Sequence, residues 1–200
     1  MQTALGADWN KLPPALQAHY HCGQSIDSGW LDIEYPRWMQ PFLSALTGLG
    51  ALVDRPGQKV ATVVEKHIDG EQQFWRRTLT YADGRQRHFN SVWHAAGNGQ
   101  LIEYVNPVLG LQMAPRVEDG RLHYSGVCFI ARLGGRRLPI PEWLVLGHTV
   151  IIEEAVDDRH FVMDFRLIHP LFGQVFRYGG RFETSIGNTD HPVTNNKDGA

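Results

Sequence analysis

The chain is poor in the features that mark the commonest functional classes. It has only two cysteines, Cys22 and Cys128, far apart in sequence. Paired C-x-x-C zinc ligands are therefore excluded, and two free thiols in a reducing compartment is the plain reading. There is no G-x-x-x-x-G-K-[ST] phosphate loop, and no G-x-G-x-x-G opens a helix after a strand. H-E-x-x-H and G-x-S-x-G are absent, which removes the usual markers of zincin proteases and α/β-hydrolases. Basic excess is missing too: the formal net charge is −2. The arginines, which heavily outnumber lysines, are scattered through strands rather than gathered, so no nucleic-acid partner is expected. The first residues carry neither a basic stretch nor an apolar one. The longest apolar run, Pro41 to Val53, is too short and too glycine-rich to span a bilayer. The expectation is a cytoplasmic protein with no integral membrane span, no cofactor and no metal.

What the chain does have is punctuation. Turn signals recur from Lys59 to Thr184: Asp69-Gly70, Asp83-Gly84, Gly97-Asn98-Gly99, Asp119-Gly120, Gly134-Gly135 and Asp157-Asp158. Asx-Gly pairs supply the positive φ angles of tight hairpins, so each cut reads as two strands folding back on one another. A long antiparallel meander must hide its edges, and closure into a barrel removes them. The pattern predicts one mainly β domain over residues 1–186, a strongly curved antiparallel meander closing into a lipocalin-like barrel with two N-terminal helices. The helices are placed at about 8–21 and 36–51, and the strands at about 25–35 and 59–184. The polar, Asn-rich tail 187–200 reads as disordered. Leu138-Pro139-Ile140-Pro141 reads as a crossover or lid, since proline is excluded from central strands.

Helix signals are local. Pro13-Pro14 suits the first turn of the first helix, with Leu12, Leu16 and Tyr20 at helical spacing. In the second, Trp38, Phe42, Leu46 and Leu49 form one apolar side. That side plugs or packs on the barrel, or else lies on a membrane, a reading weakened by the lack of basic residues opposite it. His19, His21 and Cys22 are the one close set of soft ligands, but they sit where a helix ends and histidine complements the dipole.

Alternation sharpens the chemistry. Along Phe74 to Tyr81, residues Trp75, Arg77, Leu79 and Tyr81 share the more apolar face, so Arg77 points inward beside Trp75. An inward arginine must be paired, because an unpaired buried charge costs several kcal/mol. It either forms an ion pair with Glu103 or Glu153, or anchors an acidic ligand group. Glu103 and His94 are further inward candidates for proton transfer. In the last strand Phe176, Tyr178 and Phe182 share a face, and Tyr178 could offer its hydroxyl to a ligand. Trp75, Trp93 and Phe176 would supply apolar wall.

Three segments together resemble a bacterial family labelled as a domain of unknown function, number 4166. They are Leu5-Gly6-x-x-Trp9-x-x-Leu12-Pro13-Pro14-x-Leu16-x-x-His19-Tyr20, Trp75-x-Arg77-x-Leu79, and Pro170-Leu171-x-Gly173-x-x-x-Arg177-Tyr178-x-Gly180. Asp119-Gly120-x-Leu122-x-Tyr124 and Leu138-Pro139-x-Pro141 fit the same pattern. The resemblance implies a β-rich domain, sometimes fused behind an oxidoreductase-like or membrane region, with no catalytic residues to carry over. Three functions stay open. One is a binder of an apolar small molecule with an acidic or oxygen-rich end, using Arg77, Trp75, Trp93 and Phe176. Another is a cofactor-independent cyclase or isomerase moving a proton through Glu103, His94 or Tyr178. The last is an interaction module for an oxidoreductase partner.

Overall fold

The computed structural model describes residues 1–69 and 72–186. It holds eleven strands: β1 (Gly23–Glu34), β2 (Gly57–Asp69), β3 (Gln72–Thr80), β4 (Gln86–Gly97), β5 (Gln100–Tyr104), β6 (Leu109–Glu118), β7 (Arg121–Leu133), β8 (Arg136–Ile140), β9 (His148–Ala155), β10 (His160–His169) and β11 (Gly173–Ile186). The order β6-β5-β4-β3-β2-β1-β11-β10-β9-β7 returns on itself through pairing of β6 with β7. Ten strands thus close an antiparallel barrel, and β8 stays outside the ring. The lipocalin-like closed meander expected from the turn rhythm is what forms.

The turns work as their residues dictate. Asn98 and Gly99 (φ 51° and 72°), Asp119 and Gly120 (50° and 73°), and Gly134 and Gly135 (55° and 82°) each give the two consecutive positive φ values of a tight hairpin. Asp157 instead folds its carboxylate onto the backbone N–H groups of Arg159 and His160. Gly70 of the expected Asp69-Gly70 turn, and the tail 187–200, lie outside the described residues.

Chain ends and connections sort the barrel into two ends. At one, α1 (Gln2–Leu5), a 3₁₀ turn (Gly6–Lys11) and α2 (Pro14–His19) form the plug. Leu5, Leu12 and Leu16 are buried there, and burying each such side chain is worth roughly 1.5–3 kcal/mol. The first expected helix is therefore α2, entered through a 3₁₀ turn. At the other end, a 3₁₀ turn (Arg37–Met39) runs into α3 (Gln40–Gly48), and α3 caps the barrel together with the segment from β8 to β9. Here the face reading is corrected. Met39 and Leu43 are buried and Leu46 packs on the core, whereas Trp38, Phe42 and Leu49 are exposed. The segment carries apolar residues on two sides, and the set at i, i+4 and i+7 from Met39 is the one that fits the barrel mouth.

The proline-rich crossover is partly a strand. Pro139 in β8 sits opposite Ile130 in β7, and among the described strands β8 pairs only with β7, as an edge strand lets a residue without N–H do. A 3₁₀ turn, Glu142–Leu144, follows. At the seam between β1 and β11 the backbones run unusually close. A Cβ on Gly29 would sit 2.0 Å from the Arg181 carbonyl oxygen, and one on Gly180 would sit 1.8 Å from that of Trp30.

Candidate functional site: a polar cluster inside the barrel

Alternation along β2 sends Val60, Thr62, Val64, Lys66 and Ile68 inward, and along β3 Gln73, Trp75 and Leu79, with Arg77 between them and buried Tyr81 just past the strand's end. Register then stacks unlike chemistry side by side: Lys66 lies opposite Trp75, Arg77 opposite Phe89, and Trp93 opposite Glu103. The Arg77 guanidinium donates to Ser91 Oγ at 2.9 Å and to Glu103 Oε1 at 3.2 Å. It also lies over the rings of Trp75 and Phe89, 5.0 and 4.9 Å from their centroids. Trp75 and Trp93 stack at 5.0 Å. Of the two carboxylates weighed for Arg77, Glu103 is the one it pairs with.

Towards the plug lies a second, fully buried set. His19 ends α2, Asp27 belongs to β1 and Lys66 to β2. Lys66 Nζ is 2.7 Å from Asp27 Oδ2, and His19 Nδ1 is 2.8 Å from the same oxygen. Thr184 Oγ1 donates to Asp27 Oδ1 at 2.7 Å, and Lys66 also donates to the His19 carbonyl. Burial alone would raise the Asp27 pKa, but His19 and Lys66 overcome it and hold the carboxyl at about 2. Burial pulls His19 down to about 4, so it is neutral near pH 7. Beside this set, Tyr20 donates to both oxygens of Glu153, at 2.9 and 2.8 Å, and its hydroxyl meets that of Tyr124. Burial pushes Glu153 up to about 7 against the opposing bond from Tyr20 and the charge of Lys66. Near neutral pH this carboxyl can hold or release a proton.

Two voids open on this machinery. One, about 50 Å³, is lined by His19, Tyr20, Trp75, Arg77, Trp93 and Glu153 among others. The other, about 140 Å³ and mostly apolar, lies under the cap among Leu46, Leu52, Leu111, Phe129, Leu146 and Phe165. Phe89, Glu103 and Tyr178 line both. Three residues that line the smaller void carry buried nitrogens with no hydrogen-bond partner among the described residues: His19 Nε2, Trp75 Nε1 and Trp93 Nε1. Buried polar atoms are paired in the great majority of cases, so three around one void call for an explanation.

The sequence-predicted residues separate accordingly. Trp75, Arg77, Trp93, Glu103 and Tyr178 line the interior voids, and burial raises the Tyr178 hydroxyl well above its usual pKa. Phe176 is buried but lines neither void; it packs on Tyr35, Phe165 and Tyr178. His94 is corrected: it lies on the outer wall against Tyr104, in an open groove of about 870 Å³ along β1 to β5. Neighbours in a strand point to opposite faces, and Trp93 takes the inside. Asp27, Lys66, Tyr20 and Tyr124 were missed as site residues. The available signal was Lys66, a charge on the same inward register as Val60, Thr62 and Val64. Among the described residues no cluster of His, Cys, Asp or Glu is arranged to hold a metal. Nor is any helix among them long and apolar enough to cross a membrane.

The family model for "Domain of unknown function (DUF4166)" matches residues 12–182. The chain belongs to this family. No curated protein matches this DUF4166 domain. Among solved structures it is similar to a "secretary abundant heat soluble (SAHS) protein" from Ramazzottius varieornatus. That match has 12% identity and a TM-score of 0.30, and covers 82% of this chain and 94% of the other. It is also similar to a "REP1-NXSQ fatty acid transporter", at 10% identity and TM-score 0.30 over 84% and 97% of the two chains. Likenesses this distant carry no functional weight, and the reading of the DUF4166 interior rests on its own residues.

Proposed function

We propose that this DUF4166 domain binds a small apolar molecule inside the barrel and holds a neutral, oxygen-bearing end of it at the polar cluster. The observation that supports this reading is the set of three buried nitrogens, without a partner among the described residues, on side chains that line a void sharing Phe89, Glu103 and Tyr178 with an apolar one. A carbonyl or hydroxyl oxygen would accept from the two indole N–H groups, while the hydrocarbon part occupied the space beneath α3. Charge selects against an acidic end. Lys66 and Arg77 are already matched by Asp27 and Glu103, so a ligand carboxylate would enter as an uncompensated buried charge. Size is limited as well: a dry cavity of about 150 Å³ is on the scale that takes benzene, which favours single rings and medium-length chains.

The test is titration calorimetry with octan-1-ol, octan-2-one and octanoate at pH 8. The alcohol and ketone are expected to bind at least tenfold tighter than octanoate. Leu111→Trp, which fills the apolar void, is expected to abolish binding of the ketone. Equal affinity for octanoate, or undiminished ketone binding in the variant, would refute the reading.

One observation favours the alternative of a cofactor-independent isomerase: Glu153, held near pKa 7 and bonded to Tyr20 beside the same void. A carboxyl so poised could remove a proton next to a bound carbonyl. In D₂O, octan-2-one would then acquire deuterium beside its carbonyl faster with the protein than without it, and Glu153→Gln would stop the exchange. No exchange above the protein-free rate leaves binding alone.

A further inference from the structure

The cap end of the barrel carries apolar side chains that nothing in the described structure covers. Trp38 and Phe42 of the 3₁₀–α3 segment, Trp143 and Leu144 after β8, and Leu171 and Phe172 between β10 and β11 are all exposed, Leu171 at 81% and Phe172 at 61%. They belong to one surface. Trp38 meets the Phe172 ring at 5.4 Å. Val145 and Leu146 line the apolar void together with Leu46 and Leu52. The Gly147 backbone packs directly on Ile168 and His169, with room for no side chain between. Exposed apolar groups scattered singly need no explanation, but a cluster with two tryptophans at its edge does.

Charge says what covers it. The same end carries exposed Arg37, Arg132, Arg136 and Arg137. The ion pairs there, Arg55 and Arg85 with Asp83, Arg87 with Asp54, and Arg177 with Glu34 and Asp164, leave these four outside any pair among the described residues. From Ala131 to His148 the sole acid is Glu142, which is buried and accepts from the Thr149 N–H. The opposite end exposes Asp69, Glu118, Asp119, Asp157 and Asp158 in its turns. A chain of net charge −2 therefore presents one basic, apolar end and one acidic end.

We propose that the cap end docks on an anionic lipid bilayer. The indoles and the Leu171–Phe172 turn enter the interfacial layer, and the arginines meet headgroup phosphates. Aromatic side chains suit that layer because one part is apolar and the other wet, and arginines add attraction that salt screens. This surface is separate from the interior and does not depend on the ligand reading.

The test is co-sedimentation of the full chain with vesicles of phosphatidylcholine alone and of phosphatidylcholine with one third phosphatidylglycerol. Binding to the anionic vesicles is expected to exceed the neutral ones at least tenfold, to fall at high salt, and to shift tryptophan emission to the blue. Leu171→Glu/Phe172→Glu and, independently, Arg136→Glu/Arg137→Glu are expected to weaken binding tenfold or more. Arg121→Glu at the far end should leave it unchanged. The altered side chains are exposed, so urea midpoints should match wild type and show that loss of binding is not unfolding. No sedimentation with anionic vesicles, or variants that bind like wild type, would overturn the proposal. Ketone binding by the interior is measured separately, so either reading can fail while the other stands.

Discussion

Lys66→Met is the most informative single perturbation of the interior. The ammonium is wholly buried and lies 2.7 Å from Asp27 Oδ2, itself only 1% exposed at its side chain. Methionine keeps the length and apolar stem, so the change removes charge rather than volume. Asp27 is then left with its Thr184 bond and a neutral His19, in a site where burial by itself raises its pKa. Stranding one member of a buried pair typically costs about 3–5 kcal/mol. With a urea slope of about 2 kcal/mol per molar, the midpoint should fall by about 2 M. The companion variant Asp27→Asn/Lys66→Met removes both charges and should recover most of the loss, because neutral pairs of similar shape carry no such penalty. Urea unfolding at pH 7, followed by tryptophan fluorescence, measures both. A single variant within about 1 kcal/mol of wild type, or a double variant no better than the single, would refute the account of the cluster.

Acid and alkali should act on different members of that cluster. Glu153, raised from 4.5 to about 7, contributes stability that is fully present below pH 4.5 and lost as pH rises through 7. Glu153→Gln should therefore hold its stability between pH 5 and 8 while wild type loses roughly 2–3 kcal/mol relative to it, read from urea midpoints. His19, lowered from 6.5 to about 4, contributes stability present above pH 6.5 and lost as pH falls towards 4. His19→Gln should flatten that acid limb in the same assay. At the β1–β11 seam, Gly180→Ala puts a methyl group on the Trp30 carbonyl. It should cost about 2 kcal/mol or more through forced separation of the strands, and an unchanged midpoint would show that the seam opens freely.

The hairpins were legible because each is local. Asn98-Gly99 and Asp119-Gly120 set their own backbone angles, and those angles set the register of the strands beside them. Arg77 was legible because alternation is local as well. Glu103 could only be named as one of two partners, since β3 and β5 are not neighbours and β4 lies between them. The His19–Asp27–Lys66 set brings together a helix end and two strands, and nothing in any one segment signals it. The closing pairing itself was not legible, because it needs the first strand, β1, to pair with the last, β11, and no local segment signals that. The side that α3 buries was misread because Trp38 and Phe42 outweigh Met39 and Leu43 on bulk hydrophobicity alone. Only the shape of the barrel mouth decides between the two faces.

The most direct measurement is an NMR titration that follows the indole N–H resonances as octan-2-one is added. Trp75 and Trp93 carry buried indole nitrogens with no partner among the described residues, whereas Trp38 and Trp143 are exposed at the cap. If the interior takes the ligand by its oxygen, the Trp75 and Trp93 N–H signals should shift downfield on hydrogen bonding and show transfer from the ketone's protons, both lost in Leu111→Trp. Unmoved Trp75 and Trp93 signals, or shifts confined to Trp38 and Trp143, would contradict binding inside the barrel.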